Sequence, residues 1–157
     1  PHTETDALEQ ALRLHRQGAV MEAIGRYRAL LQANPNNADA LYYLATALYQ
    51  QRQYDESQRL VAQALAINPR LARAHRLLGL LYERQGRMDQ ALASVDQAVA
   101  CQPDLAEAYG TRGDMLTAIG RLQDALASYD RALALRPNSA SDWCNRGTVL
   151  EIGRAHV

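Results

Sequence analysis

A chain of 157 residues with 48% hydrophobic side chains is long enough for one domain and too apolar for a disordered segment. Its 17 basic residues, all arginine, are balanced by 17 acidic ones, which excludes the one-sided field that a nucleic-acid backbone or an anionic membrane surface would reward. No apolar run approaches the roughly 20 residues a bilayer span needs, and no leader pattern stands near the start, so a soluble, cytoplasmic protein is expected. Cys101 and Cys144 lie far apart, fit no metal-ligand spacing, and read as small apolar fillers in a reducing compartment.

Residues 4–37 are the first predicted helical hairpin. Gly18 supplies the permissive backbone of a tight turn, Glu22 stands where the dipole of the following helix favours a carboxylate, and Pro35 stops that helix. Residues 38–71 are the second. Leu41, Leu44, Ala45 and Leu48 recur at helical spacing on its first helix, and Val61, Ala64 and Leu65 on its partner. Its turn, Gln51 to Gln53, has Arg52 where the others have glycine and must close without one. Asp55 and Glu56 follow it, and Pro69 ends the hairpin. Residues 72–105 repeat the plan with Gly86, Asp89 and Pro103, and residues 106–139 with Gly120, Asp124 and Pro137. A half-hairpin, residues 140–150, closes the array, so the predicted domain spans 1–150.

Pro35, Pro69, Pro103 and Pro137 stand at a constant spacing of 34, the mark of stacked helical hairpins. Each proline pushes the residue before it out of the helical region, so Asn34, Asn68, Gln102 and Arg136 are stops, and Ala38, Ala72, Ala106 and Ala140 open the next helices. Ala23, Ala91 and Ala125, with Ser57 in the same place, mark the closest approach of paired helices. A single hairpin cannot bury its own apolar face, so the repeats depend on their neighbours. The chain starts at Pro1 without methionine and stops within a repeat, which is expected of a fragment. Residues 151–157 resemble the translation of a common sequencing-library adapter and are expected to be a non-native tail. Gly153-Arg154 echoes Gly86-Arg87 and Gly120-Arg121, but one residue too early for the register. The far face around Trp143, Val149 and Leu150 is expected to be sticky and to promote self-association.

The phased residues resemble the tetratricopeptide repeat, whose pattern runs W-x2-L-G-x2-Y, then A-x3-F, then P. In residues 72–105, His75 takes the Trp place, Leu78, Gly79 and Tyr82 match, and Ala91, Val95 and Pro103 follow in register. The next copy has Tyr109, Arg112, Gly113, Leu116, Ala125, Tyr129 and Pro137, and the half-copy has Trp143, Arg146, Gly147 and Leu150. Residues 38–71 carry Leu41, Leu44, Ala45, Leu48, Ser57, Val61 and Pro69. The first copy is the most degraded, with Ala7, Gln10 and Ala11 for Trp, Leu and Gly, yet Leu14, Ala23, Tyr27 and Pro35 hold. The likeness implies an all-α, right-handed superhelical solenoid of antiparallel helix hairpins, about four and a half repeats long. It also implies a non-catalytic scaffold whose concave groove binds a protein or peptide segment. Residues 126–133 followed by Arg136-Pro137-Asn138 are similar to bacterial arrays, including those joined to O-linked N-acetylglucosamine transferase-like glycosyltransferases. A substrate-recruiting arm of such an enzyme, its catalytic domain outside this chain, is the alternative. The use of arginine without lysine suits a GC-rich, bacterial coding sequence.

No catalytic residue, cofactor or metal site is expected. His2, His15, His75 and His156 form no pair in register for a metal or for a base and nucleophile, and no Lys or His flanks Cys144 to activate its thiol. Arg112 and Arg146 stand where the family is apolar; either their stems pack while the guanidinium reaches water, or they contact a ligand.

In this family the first helix of each hairpin lines the groove. Its outward residues are Asp39, Tyr42, Tyr43, Thr46, Tyr49 and Gln50 in the second copy and Arg73, Arg76, Leu77, Leu80, Glu83 and Arg84 in the third. Glu107, Gly110, Thr111, Asp114 and Thr117 follow in the fourth, and Asn145 in the half-copy. Tyrosines beside arginines suit stacking and hydrogen bonding against an extended peptide, with Arg73 and Arg76 forked onto a carboxylate. The plainer reading is a solvated helix face whose arginines pair with Asp39 or Glu83. The carboxylate clamp of chaperone-binding relatives is missing, since Thr46 and Leu77 replace its asparagines; of the asparagine ladder of transferase arms only Asn145 fits. RNA binding by related 35-residue repeats is disfavoured by the 34-residue period and the zero net charge.

Overall fold

A computed structural model describes residues 3–157; Pro1 and His2, one of the four histidines, lie outside the described residues. Nine helices and no strand form among the described residues. In order they are α1 (Glu4–Arg16), α2 (Val20–Ala33), α3 (Ala38–Gln50), α4 (Tyr54–Ile67), α5 (Ala72–Arg84), α6 (Met88–Cys101), α7 (Ala106–Ala118), α8 (Leu122–Leu135) and α9 (Ala140–Ala155). The fold is an all-α helical repeat. No helix among the described residues is long and apolar enough to cross a membrane.

Both kinds of punctuation act as the residues dictate. Each 34-spaced proline falls between helices, and the residue before it is extended, as at Asn34 (φ −138°, ψ 92°) and Asn68 (φ −128°, ψ 91°). Within each hairpin the turn needs one residue in the left-handed region. Glycine fills it at Gly18, Gly86 and Gly120, and in the second hairpin Arg52 does so at φ 61°. A side chain there is strained by about 1–3 kcal/mol, so the glycine-free turn copies the glycine geometry and bears the cost. Three helices gain side-chain caps at their first turn: Thr3 on α1, Asn37 on α3 and Ser139 on α9.

The chain divides into two compact units, residues 1–77 and residues 78–157, with the division inside α5. In unit 1, α1 packs on α2, α2 on α3 and α3 on α4, and the first helices α1 and α3 also touch. Ala11, Ala23, Ile24, Tyr27, Leu44, Ala47 and Leu48 form its core, with Leu8, Leu12 and Tyr43 packed against it. Ser57, in the small-residue place, is fully buried and donates its hydroxyl to the carbonyl of Ala45 at 2.7 Å. That satisfies a polar group which alanine, its counterpart in the other copies, does not carry.

In unit 2, α6 packs on α7, α7 on α8 and α8 on α9, and α7 touches α9. Leu116, Ala125, Tyr129 and Val149 form a core against Leu92, Leu122 and Leu126. Three glycines serve close approach here; a Cβ on Gly110 would lie 2.7 Å from Asp142 Oδ1. A Cβ on Gly79 would meet Val95 Cγ2 at 2.7 Å, and one on Gly113 would lie 2.6 Å from the Tyr129 ring. The expected sticky end needs correction at one position: Val149 is 1% exposed, locked in this core, while Trp143 (54%) and Leu150 (37%) do face solvent. α9 continues past Leu150 through Ala155, with no turn at Gly153.

Arg112 and Arg146 contact acids one helix back. Arg112 Nε donates to Asp96 at 2.7 Å and its Nη1 to Ser128 Oγ at 2.9 Å; Arg146 Nε donates to Asp130 at 2.7 Å. Each side chain is 30% exposed, so the stem packs and the head is tied within unit 2. The Trp place has its own recurring link. His75 Nε2, Tyr109 Oη and Trp143 Nε1 each donate to the carbonyl of the proline six residues earlier, at 2.7, 3.0 and 2.8 Å. What these three side chains share is a ring with a hydrogen-bond donor, which explains why histidine stands in for tryptophan.

Candidate peptide-binding surfaces

Unit 1 carries a cleft of about 290 Å³ lined by Leu12, His15 and Arg16 from α1, Tyr42, Tyr43, Thr46 and Gln50 from α3, and Arg73 from α5. Its floor is an aromatic run. His15 meets the edge of Tyr27 (ring centroids 6.0 Å apart), Tyr27 stacks on Tyr43 (6.2 Å, 18° between planes), and Tyr43 leans on Tyr42 (5.0 Å). Hydrogen bonds set His15 in place: Nε2 lies 2.8 Å from Gln50 Oε1 and Nδ1 3.1 Å from the Tyr27 hydroxyl. Because the amide oxygen only accepts, Nε2 carries a proton, and in the neutral ring Nδ1 accepts from Tyr27.

Burial pushes the Tyr27 hydroxyl up to about 12, with Tyr43 adding to the rise and Arg16 opposing it. Burial also raises Tyr42, opposed by Thr46 and by the positive charges of Arg73 and Arg76. Tyr27 and Tyr42 thus stay neutral hydrogen-bonding groups at physiological pH. Two guanidinium groups line the cleft, and among the described residues no carboxylate does.

Unit 2 presents a different surface. Asp114, Thr117, Tyr129, Asn145 and Thr148 line a cleft of about 310 Å³. Asp114 Oδ1 accepts from the Tyr129 hydroxyl at 2.5 Å and from Asn145 Nδ2 at 3.0 Å. Burial, followed by the hydrogen bond to Asp114, holds the Tyr129 hydroxyl far above its ordinary range. Burial and then the charge of Asp114 raise the Glu83 carboxyl.

The expected groove residues separate accordingly. Tyr42, Tyr43, Thr46 and Arg73 come together on the unit 1 cleft, and Arg76 is half-buried close enough for its charge to act on Tyr42. Asp39 is exposed. Tyr49 is outside the cleft lining, and its ring packs edge-on against Tyr54 at 5.3 Å. Three positions are corrected outright: Leu77 (4% exposed), Gly110 and Thr111 (6%) are buried and offer no open surface. Thr111 directs its hydroxyl to the carbonyl of Glu107, a bond within its own helix. Glu107 itself lies 4.0 Å from Arg136, which also holds the buried Asp142 at 3.0 Å. Leu80 is half-buried, and Asp114 and Asn145 are joined as described.

Of the cleft residues, Gln50 was expected among the outward residues of the second copy, whereas Leu12, His15 and Arg16 of α1 escaped because the first copy matches the repeat pattern worst. The signal was present in the register: Leu12 stands 34 residues before Thr46, and Arg16 34 before Gln50. Among the described residues no cluster of three or more His, Cys, Asp or Glu could hold a metal.

These features define a class, the helical-hairpin repeat proteins. The chain belongs to the tetratricopeptide repeat family, whose model matches residues 8–57 and 44–106, with a further repeat model matching 113–151. No curated protein matches it in sequence. Among solved structures, PilF of Pseudomonas aeruginosa is 20% identical with a TM-score of 0.86, covering 97% of this chain and 69% of that one. The first repeat domain of Spaghetti (RPAP3), bound to the HSP90 peptide SRMEEVD, is 23% identical with a TM-score of 0.69, covering 73% of this chain and 91% of that one. YrrB, a repeat protein with an unusual peptide-binding site, is 20% identical with a TM-score of 0.69, covering 98% of this chain and 79% of that one. At these identities the likeness establishes the fold.

Proposed function

We propose that this chain is a protein-interaction scaffold and that the unit 1 cleft holds an extended, acidic peptide segment. The observation that carries this reading is the cleft's composition: Arg16 and Arg73 stand over a tyrosine and histidine floor with no carboxylate in the lining. Arginine forks onto carboxylates with paired hydrogen bonds, while tyrosine gives wide contact at little rotamer cost. The floor is already tied by stacking and by His15, so little ordering remains to be done on binding. Two structural neighbours support the reading, one bound to a peptide ending in Glu-Glu-Val-Asp and the other described by its peptide-binding site.

The test is fluorescence anisotropy with an array of acidic peptides, SRMEEVD among them, on the wild type and on Arg16→Glu with Arg73→Glu. Charge reversal should weaken binding by more than about tenfold, and added salt should weaken the wild type as well. An array with no ligand, or affinity unchanged by the double reversal, overturns the proposal.

A further inference from the structure

We infer that the Asp114 cleft of unit 2 is a second subsite, which receives the basic side chain, guanidinium or ammonium, of a bound protein segment. It rests on the scaffold reading but not on the basic cleft of unit 1. The hydroxyl protons in this cleft are already committed. Thr117 donates its hydroxyl to the Gly113 carbonyl at 2.8 Å, and Thr148 donates to the Cys144 carbonyl at 3.1 Å. Tyr129 donates to Asp114 at 2.5 Å. All three hydroxyls have therefore used their single proton, and what the two threonines, which reach the surface, have left for a ligand is lone pairs.

Asp114 adds the charge. Its Oδ1 is held by Tyr129 and Asn145, two neutral donors that orient the carboxylate without cancelling it. Among the described residues no cation forms an ion pair with Asp114, whereas Asp96, Asp130 and Asp142 are each matched by an arginine. Its field reaches Glu83, whose carboxyl it helps to raise. An exposed, oriented carboxylate among acceptor-only hydroxyls is complementary to a group that is all donors and positively charged, as arginine and lysine heads are. An acidic segment would find only the remaining amide proton of Asn145 to bond.

The probe is the peptide Gly-Arg-Gly-Arg-Gly, with a control in which citrulline replaces arginine and so keeps the shape while losing the charge. Followed by NMR on the whole chain, the arginine peptide should shift the Asn145 side-chain amide and the Thr117 and Thr148 backbone amides. The citrulline peptide should shift them weakly. Asp114→Asn keeps an acceptor for Tyr129 and should reduce the arginine peptide's affinity by about tenfold while leaving acidic-peptide binding at unit 1 unchanged. Equal shifts from both peptides, shifts confined to other residues, or an Asp114→Asn affinity equal to wild type would overturn the inference. The citrulline comparison needs no variant, so a poorly folded Asp114→Asn leaves the test intact. If acidic peptides bind and the arginine peptide does not, only the second subsite falls; if neither binds, the scaffold reading falls with it.

Discussion

One repeat register is solved differently in the two units. Leu44 packs into the core of unit 1, and two and three periods later Arg112 and Arg146 fill the same place in unit 2 with their heads tied to Asp96 and Asp130. Ala11 sits in one core with Tyr27, while Gly113 lies directly under Tyr129, the tyrosine in the same register. Both tyrosine hydroxyls donate, but to different groups: a ring nitrogen of His15 in unit 1 and the carboxylate of Asp114 in unit 2. The repeat frame therefore prescribes helix, turn and close approach, and leaves the polarity of each exposed contact to local choice. An arginine stem can replace a leucine where the position is close enough to the surface for the guanidinium to reach water and an acid.

The largest effect that would break this comparison is expected from Gly113→Ala, which asks unit 2 to accept the side chain unit 1 has at Ala11. The added methyl would meet a buried ring at 2.6–2.9 Å. Overpacking of this kind costs about 1–3 kcal/mol, more than the ~0.5–1 kcal/mol that alanine gains over glycine within a helix. Thermal unfolding should show a melting temperature lower by several degrees; an unchanged value would mean that the ring moves aside freely.

An intermediate effect concerns alkaline pH. Tyr27 is raised from 10.0 in the unfolded chain to about 12 in the folded one. Below pH 10 both states hold the proton; between about 10 and 12 only the folded state does, so stability present below pH 10 is lost as pH rises toward 12. Tyr27→Phe should flatten part of that decline in melting temperature, and Tyr129→Phe a further part, since burial raises that hydroxyl too. A wild-type curve with no fall above pH 10 would contradict the burial of both hydroxyls.

The smallest effect should come from the arginine links. The Asp96 pair is partly exposed (30% and 52%), and pairs of this kind contribute about 0–1 kcal/mol. Arg112→Leu, which makes unit 2 resemble unit 1, should leave the melting temperature within about two degrees of wild type in low salt and closer still in 1 M salt. A loss several times larger would show that Ser128, the third member of the link, needs the guanidinium as a partner.

Much of the fold was legible from punctuation. Four prolines in phase and a glycine in three turns place the helix ends, because a missing amide and a left-handed backbone are local constraints that act wherever the residue stands. Arg52 shows the limit of composition: the turn adopts the glycine geometry without the glycine. The candidate surface was half legible. Register put Tyr42, Tyr43, Thr46 and Arg73 on one face, but Leu77 and Thr111, equally outward by spacing, are covered by neighbouring structure. Helical phase fixes the direction of a side chain and cannot report what packs over it.

Residue order alone thus decided the helices, their turns and the family, since each rests on backbone constraints and apolar spacing repeated every 34 residues. Packing decided which polar groups meet: His15 between Tyr27 and Gln50, Asp114 between Tyr129 and Asn145, and Arg112 and Arg146 each with the acid sixteen residues before it. Hydrogen bonds and ion pairs act over about 3 Å, so partners far apart along the chain become partners only when their helices are packed.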